Sequence, residues 1–319
     1  MPVDVTIIGS GSAAMNCADV LGRAGFRISH AFEVEAGDRS PIILGEAPSA
    51  FSLARQAVDA GRHLLIANPG SLSPERLSLL LDSRKRAQAL FVWSERRYHP
   101  GYRFVSGLME ADAIWRPRYL RQETFSQEQT TNALSRRLML ESLSLLLSLV
   151  DSQPSTINAI STHNPTRNAP DLVSMTVSFP ETEAYLQVAL GEAIERRETL
   201  LAAADRKAYV DELNATMPVR LVEDDRAYQR ATPARWLSTP SATPDELARQ
   251  QCLAFFDATL KQSLAIEEAD LWQKALASLM AAEKSLANGN PVPVTETEAG
   301  PRFRLILGRS IATTPPSVA

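Results

Sequence analysis

The stretch Val5–Glu33, VTIIGSGSAAMNCADVLGRAGFRISHAFE, narrows the fold more than any other part of the chain. Val5 to Ile8 is a short apolar run, the kind that forms a strand buried on both faces. Gly9-Ser10-Gly11-Ser12-Ala13-Ala14 follows and fits the pattern G-x-G-x-x-A. Gly9 permits a tight turn, Gly11 lets backbone approach a diphosphate with no Cβ in the way, and Ala14 lets the next helix lie close to the strand. The N-terminus of that helix, with free N–H groups and partial positive charge, would face the phosphates. Ala18, Leu21 and Gly22 continue at helical spacing, Gly25 stops the helix, and a second strand, Phe26–Phe32, runs into Glu33. An acid about twenty residues beyond the glycines is placed to accept hydrogen bonds from a ribose diol. Strand, turn, helix and acid in this order predict a Rossmann-type parallel sheet. The competing reading is a glycine turn kept only for helix–strand packing.

The next segments repeat the alternation. Asp38–Pro41 reads as a turn and Ile42-Ile43-Leu44 as a buried strand, with Gly45-Glu46-Ala47-Pro48 at its carboxyl end, where ligands collect in doubly wound sheets. Ser49–Ala60 is a helix stopped by Gly61. His63–Ala67 is a strand ending in Asn68-Pro69, Ser73 caps a helix with Pro74 at its first position, and Ala89–Trp93 is a further strand before Glu95-Arg96-Arg97-Tyr98-His99-Pro100. Net charge is −4 with no basic tract, which argues against a nucleic-acid partner. The apolar run Leu138–Val150 is too short to span a bilayer, and the chain enters a strand almost at once, so we expect a cytoplasmic protein. Cys17 and Cys252 lie far apart in sequence, and His30, His63, His99 and His163 show no ligand spacing, so neither a disulfide framework nor a metal site is indicated. Trp93, Trp115, Trp236 and Trp272 are scattered and belong to packing.

The run AVDAGRHLLIANPGSLSPERLSLLLDSRKRAQALFVWSERRYHPGY resembles the glucose–fructose oxidoreductase/inositol dehydrogenase/MocA (Gfo/Idh/MocA) family, as does the closing stretch LARQQCLAFFDATLKQ…ADLWQKALASLMAAEKSLANGNPVPV. The resemblance implies a shortened N-terminal Rossmann-type domain over residues 1–109 and a C-terminal α+β domain over residues 110–319, with a mostly antiparallel open sheet. It also implies NAD or NADP as cofactor and pairing of subunits through that open sheet face, as a homodimer or tetramer. Two departures stand out. Few residues separate Glu33 from Ile42, where the family has a helix–strand–helix passage, so the adenosine side is more open. The family's E-K-P lysine is Asn68, and its D-x-G-x-H aspartate and histidine align with Arg137 and Glu141. An uncharged amide orients a carbonyl but donates no proton as an ammonium does.

In the second half, Ile114–Phe125 reads as a strand and Asn132–Val150 as a helix, on which Arg137 and Glu141 are spaced for an i, i+4 ion pair. Asp171–Pro180 and Ala184–Gly191 read as a hairpin. Over Arg197–Leu213, propensity favours helix whereas the resemblance implies strands Thr199–Ala203 and Ala208–Glu212; we follow the resemblance. Ala231–Thr243 reads as a surface loop, Asp245–Gln262 and Glu267–Ala287 as helices, Phe303–Leu307 as an edge strand and Thr313–Ala319 as a frayed tail.

Two functions fit these residues. The first is an NAD(P)-dependent oxidoreductase exchanging hydride with a small carbonyl, imine or hydroxyl substrate. Gly9, Gly11, Ser12, Ala13, Ala14, Glu33, Pro48, Asn68 and Pro69 would hold the cofactor. Tyr98, then Glu141, are the candidate proton donors, and Asn68 orients the substrate; Tyr98 equally suits packing at the domain junction, and Glu141 serves as an acid where burial raises its pKa. Glu33 favours NAD by repelling a 2′-phosphate, while Arg27 and Arg39 leave NADP open. The helix Ser135-Arg136-Arg137-Leu138, with Leu143 to Leu147, is similar to that of thiazolinyl imine reductases, a branch that also lacks the lysine. The second function is a catalytically inactive binding or assembly subunit. The same fingerprint also serves FAD, a third possibility.

Overall fold

The computed structural model describes residues 4–35, 40–69, 72–112, 115–129, 131–150, 152–162, 171–225, 230–231, 235–237 and 243–294, with side chains between 223 and 242 left aside. His163, Arg39, the first half of the turn expected at Asp38–Pro41, the strand expected at Phe303–Leu307 and the tail fall outside them.

The apolar triplets of the first third make a parallel sheet. β1 (Asp4–Ile8), β2 (Arg27–Ala31), β3 (Ile42–Leu44), β4 (Leu64–Ile66) and β5 (Leu90–Val92) line up in the order β2-β1-β3-β4-β5. Ile8 pairs in register with Ala31 and Leu44, Leu44 with Ile66, and Ile66 with Val92, so all five strands finish at one edge. Buried on both faces, β3, β4 and β5 read as unbroken hydrophobic runs, as buried parallel strands do. α2 (Ala50–Asp59) and α3 (Pro74–Ser83) pack into the core on one side; Ser73 caps α3 by accepting from the Arg76 N–H, as its sequence predicts. On the other side lie α1 (Ser12–Arg23) and, from far along the chain, α6 (Pro244–Leu260), whose Cys252, Phe255 and Phe256 share one cluster with Val5, Ile7, Ile43, Leu65 and Phe91. The two cysteines thus meet: a hydrogen bond to Cys252 and burial hold the Cys17 thiol well above its ordinary range.

Past β5 the chain makes a single 3-10 turn, Glu95–Tyr98, and then α4 (Pro100–Ala111), a helix that the sequence reading left unassigned. His99 caps α4 through Nδ1, which accepts from the Gly101 N–H at 3.1 Å, with Pro100 at the first position. A ten-stranded sheet follows. β6 (Tyr119–Ser126), β7 (Thr156–Thr162), β8 (Leu172–Ser178), β9 (Glu183–Leu190), β10 (Arg196–Ala202), β11 (Arg206–Asp211) and β12 (Val219–Asp225) form its body. The edges carry β13 (Arg230–Ala231), β14 (Arg235–Leu237) and β15 (Val292–Pro293). Every pairing is antiparallel except β6 with β9. The segment expected as a loop over Ala231–Thr243 therefore contains a strand, β14, held by pairing with β12 rather than by its own propensity. At Arg197–Leu213 two strands form, against helix propensity, because each gains a ladder partner: β10 lies between β6 and β11.

α5 (Asn132–Leu149) and α7 (Gln262–Asn288) cover one face of this sheet. Trp272 is fully buried under α7, and Trp93 and Trp115 are buried too, as expected of packing residues. The opposite face carries Tyr119, Tyr185, Ile160 and Tyr209 among polar side chains and is open among the described residues. On the covered face the strands are not apolar throughout: β6 and β10 present Gln122, Thr124, Thr199 and Arg197, and it is here that the 3-10 turn docks.

Arg96 makes that joint. Its side chain and that of Glu212 are 3% and 5% exposed. Arg96 donates from Nε to both Glu212 oxygens, at 3.1 and 2.9 Å, from Nη2 to Oε1 at 2.6 Å, and from Nη1 to Thr124 Oγ1 at 3.0 Å. Tyr102 on α4 donates to Glu212 at 2.6 Å and sits 2.7 Å from the Thr199 hydroxyl. Burial alone would push the Glu212 carboxyl up; the Arg96 charge and its hydrogen bonds outweigh it and leave the group below its ordinary range. Removing one member strands a buried charge, so Arg96→Ala is expected to cost about 3–5 kcal/mol in urea unfolding, and a loss below about 1 kcal/mol would show the joint to be dispensable. Because the folded carboxyl titrates low, its stabilisation is present above the ordinary carboxyl range and fades as pH falls through its folded value. Glu212→Gln should flatten that acid limb in urea unfolding followed across pH.

Candidate active site at the carboxyl edge of the first sheet

Because all five parallel strands end together, the residues that follow them are brought to one edge: Gly9, Glu33, Gly45-Glu46, Asn68 and Glu95. The glycine turn forms as its sequence predicts. Gly9 and Gly11 take φ of +89° and +102°, left-handed values that suit glycine, and α1 begins at Ser12 with no side chain capping it. Ala14 is buried against the strands, while Ser12 is exposed and Ala13 half-buried.

What meets these glycines is the protein itself. Ser10 and Glu46 exchange backbone hydrogen bonds, the Ser10 N–H donating to the Glu46 carbonyl at 2.9 Å and the Glu46 N–H to the Ser10 carbonyl at 2.6 Å. A Cβ on Gly9 would come within 2.5 Å of the Glu46 carbonyl oxygen, so close backbone packing alone requires that glycine. Over Gly11 the neighbour is different in kind: the end of the Glu46 side chain, with Cγ and Cδ each 3.2 Å from where a Cβ would stand. That carboxylate accepts from Asn68 Nδ2 at 2.8 Å. Glu46 is exposed and its side chain is held by Asn68, whereas its backbone bridges to Ser10.

The remaining expected residues divide into two groups. Glu33 stands exposed two residues past β2, beside a Phe32 that is 98% exposed. Pro48 is exposed, and Pro69 is buried, lining a crevice with Arg136, Arg137 and Leu140 that links the Asn68 loop to α5. Arg137 and Glu141 approach to 3.8 Å as the i, i+4 spacing predicts, but not on an open helix surface: the Glu141 side chain is 14% exposed. Burial raises its carboxyl above the ordinary range, against the pull of Arg137, Arg96 and Arg197. Glu95, also raised by burial and then by Glu141, is not among the residues singled out from the sequence; it opens the 3-10 turn three residues past β5. Hydrogen bonds fix it beside α5: Ser94 Oγ lies 3.3 Å from Ser144 Oγ, and Arg96 Nη1 donates to Ser142 Oγ at 3.5 Å.

Tyr98 belongs to the other group. Burial pushes its phenol well above the usual range, and the charges around it are Glu268, Arg97 and Arg103, with the Cys252 thiol close by. These lie toward α6, α7 and α4 rather than toward Glu141, whose neighbours are Arg137, Arg96, Arg197 and Glu212. Arg97 donates to Glu268 at 2.7 and 3.1 Å, and Trp272 Nε1 donates to the same carboxylate at 2.8 Å.

No protein-family model matches the sequence, and no curated protein does. Solved structures match over nearly the whole chain. UDP-N-acetylglucosamine 3-dehydrogenase GnnA from Acidithiobacillus ferrooxidans superposes with a TM-score of 0.72 at 20% identity, covering 90% of this chain and 99% of its own. Levoglucosan dehydrogenase in complex with NADH gives 0.75 at 13% identity, over 93% of this chain and 100% of its own. An NAD binding oxidoreductase from Klebsiella pneumoniae gives 0.70 at 13% identity, over 93% and 100%. At such identities the likeness is one of fold: this chain shares its two-sheet architecture with these dehydrogenases.

The two raised carboxyls make a direct test of the edge geometry. Glu141→Gln should bring the Glu95 carboxyl down toward its ordinary range, and Arg137→Ala should push the Glu141 carboxyl further up, both followed by carbon-13 NMR of the side-chain carboxyls across pH. An unmoved Glu95 would mean that the two acids do not sense each other.

Proposed function

We propose that the protein is an NAD(P)-dependent oxidoreductase of the Gfo/Idh/MocA type that exchanges hydride with a small carbonyl, imine or hydroxyl substrate, and that Glu141 holds the proton in place of the family lysine. The observation that carries this reading is the raised, largely buried Glu141 carboxyl, beside a basic side chain at the junction of the two sheets. A carboxyl that stays protonated nearer neutral pH is able to donate to a developing alkoxide or amine. Glu95 is the neighbour that favours sharing of that proton, Arg137 and Arg197 orient an electron-rich substrate group, and Asn68 offers an amide to a carbonyl.

The residues at the glycine turn fit a dinucleotide in backbone terms. Gly11 has an open left-handed conformation, α1 offers an uncapped N-terminus, and only a rotatable side chain stands over it. When bound there, the nicotinamide supplies the hydride. Gly11, Ser12 and Ala13 would meet the diphosphate, Glu33 and Phe32 the adenosine side, and Asn68 and Pro69 the nicotinamide side. In this reading residues 1–109 form the cofactor half and residues 110–319 the substrate half, with the open face of the second sheet, carrying Tyr119 and Ile160, as the surface on which two copies pair. No helix among the described residues is long and apolar enough to cross a membrane, and we place the protein in the cytoplasm.

Glu46 lying on Gly11 favours a second reading, a catalytically inactive binding or assembly subunit built on the same fold. Titration with NADH and NADPH, followed by nicotinamide fluorescence, separates the two. The oxidoreductase reading expects saturable binding of at least one, and turnover of a member of a panel of imines, ketones and sugars. Glu141→Gln should then cut kcat by about 10²-fold or more with little change in dinucleotide affinity. Binding without turnover supports the subunit reading, and binding of neither ends the first.

A further inference from the structure

The Glu46 side chain stands where a diphosphate would touch bare peptide. Its Cδ is 3.2 Å from the Cβ position of Gly11, at the mouth of a twelve-residue helix whose first turn has no side-chain cap, and it is tied to Asn68 at 2.8 Å. A carboxylate there is held by the same partial charge that holds a phosphate, so it competes for the seat both in space and in sign. From this contact we infer that Glu46 is the residue that sets dinucleotide affinity and selectivity in this chain: the seat is closed by an internal anion, and a diphosphate enters only when Glu46 leaves Gly11 and releases Asn68. The inference rests on the dinucleotide reading above and deepens it.

Two features make the device a gate rather than a plug. The backbone of Gly45 and Glu46 packs over Gly9 and Ser10, not over Gly11, so the bridge survives rotation of the side chain. Glu46 is exposed, so water is available to receive the carboxylate when it turns outward. The same contact selects among ligands. One whose charge is concentrated in a diphosphate meets Glu46 head on, while one that lacks phosphate has no reason to displace it.

The test compares wild type, Glu46→Ala and Glu46→Gln for NADH and NADPH affinity by fluorescence titration, with thermal melting as the control for folding. The Ala variant should bind at least about tenfold tighter than wild type, because both the bulk and the like charge are gone. The Gln variant, which keeps the bulk and the bond to Asn68 but not the charge, should fall between. Equal affinity in wild type and both Glu46 variants overturns the inference while leaving the dinucleotide reading intact. Weaker binding in the Ala variant overturns it too, since Glu46 would then be helping the ligand. If no variant binds either dinucleotide, the dinucleotide reading falls and the inference with it.

Discussion

Two ions out of reach of water, Arg96 and Glu212, hold the molecule's two sheets in one relation. Neither is tolerable alone in such a place, and the many bonds around them leave little freedom in how they meet. Arg96 lies one residue after Glu95, in the turn that ends the parallel sheet, and Glu212 lies just past β11 of the antiparallel one. The pair therefore dictates where Glu95 sits, how α5 approaches it through Ser142 and Ser144, and which charges surround Glu141. The chemistry proposed for the edge of the first sheet borrows its geometry from this joint. A second anchor, Arg97 with Glu268 and Trp272, ties the neighbouring residue of the same turn to α7, so consecutive arginines hold the turn to different elements.

The glycine turn shows how one motif satisfies two physical demands. Gly9 is required by backbone packing alone, because the Glu46 carbonyl occupies the space a side chain would need. Gly11 is not: what covers it is the flexible end of a side chain, and a helix start without a side-chain cap lies behind it. Packing accounts for Gly9 by itself, and the phosphate seat proposed above rests on Gly11.

Much of the fold was legible in the sequence because its signals were local. Ile42–Leu44 needs no tertiary information to be a buried strand, and Ser73-Pro74 or Thr243-Pro244 mark helix starts by chemistry that acts over three residues. What was not legible depended on partners. β14 exists only because β12 offers it a ladder, α4 is announced by a histidine cap rather than a serine, and α6 joins the first sheet across most of the chain's length. The site divides the same way. The strand ends pointed to Asn68 and the glycines, and the helical spacing gave the Arg137–Glu141 pair. That Tyr98 keeps company with Cys252 and Glu268, and that Glu141 is buried near Glu95 and Glu212, follow from how α5, α6 and α7 pack, which no spacing rule contains.

The arrival of α6 on the first sheet has a consequence for the protein's birth. Val5, Ile7, Ile43, Leu65 and Phe91 emerge from the ribosome early, yet Phe255 and Phe256, which pack against them, are translated much later. At synthesis rates of about 5–20 residues per second, the roughly 150 residues between Trp93 and Ala248 take about eight to thirty seconds to make. Through that interval α1 alone covers that face of the parallel sheet, and the apolar surface reserved for α6 waits for its tenant.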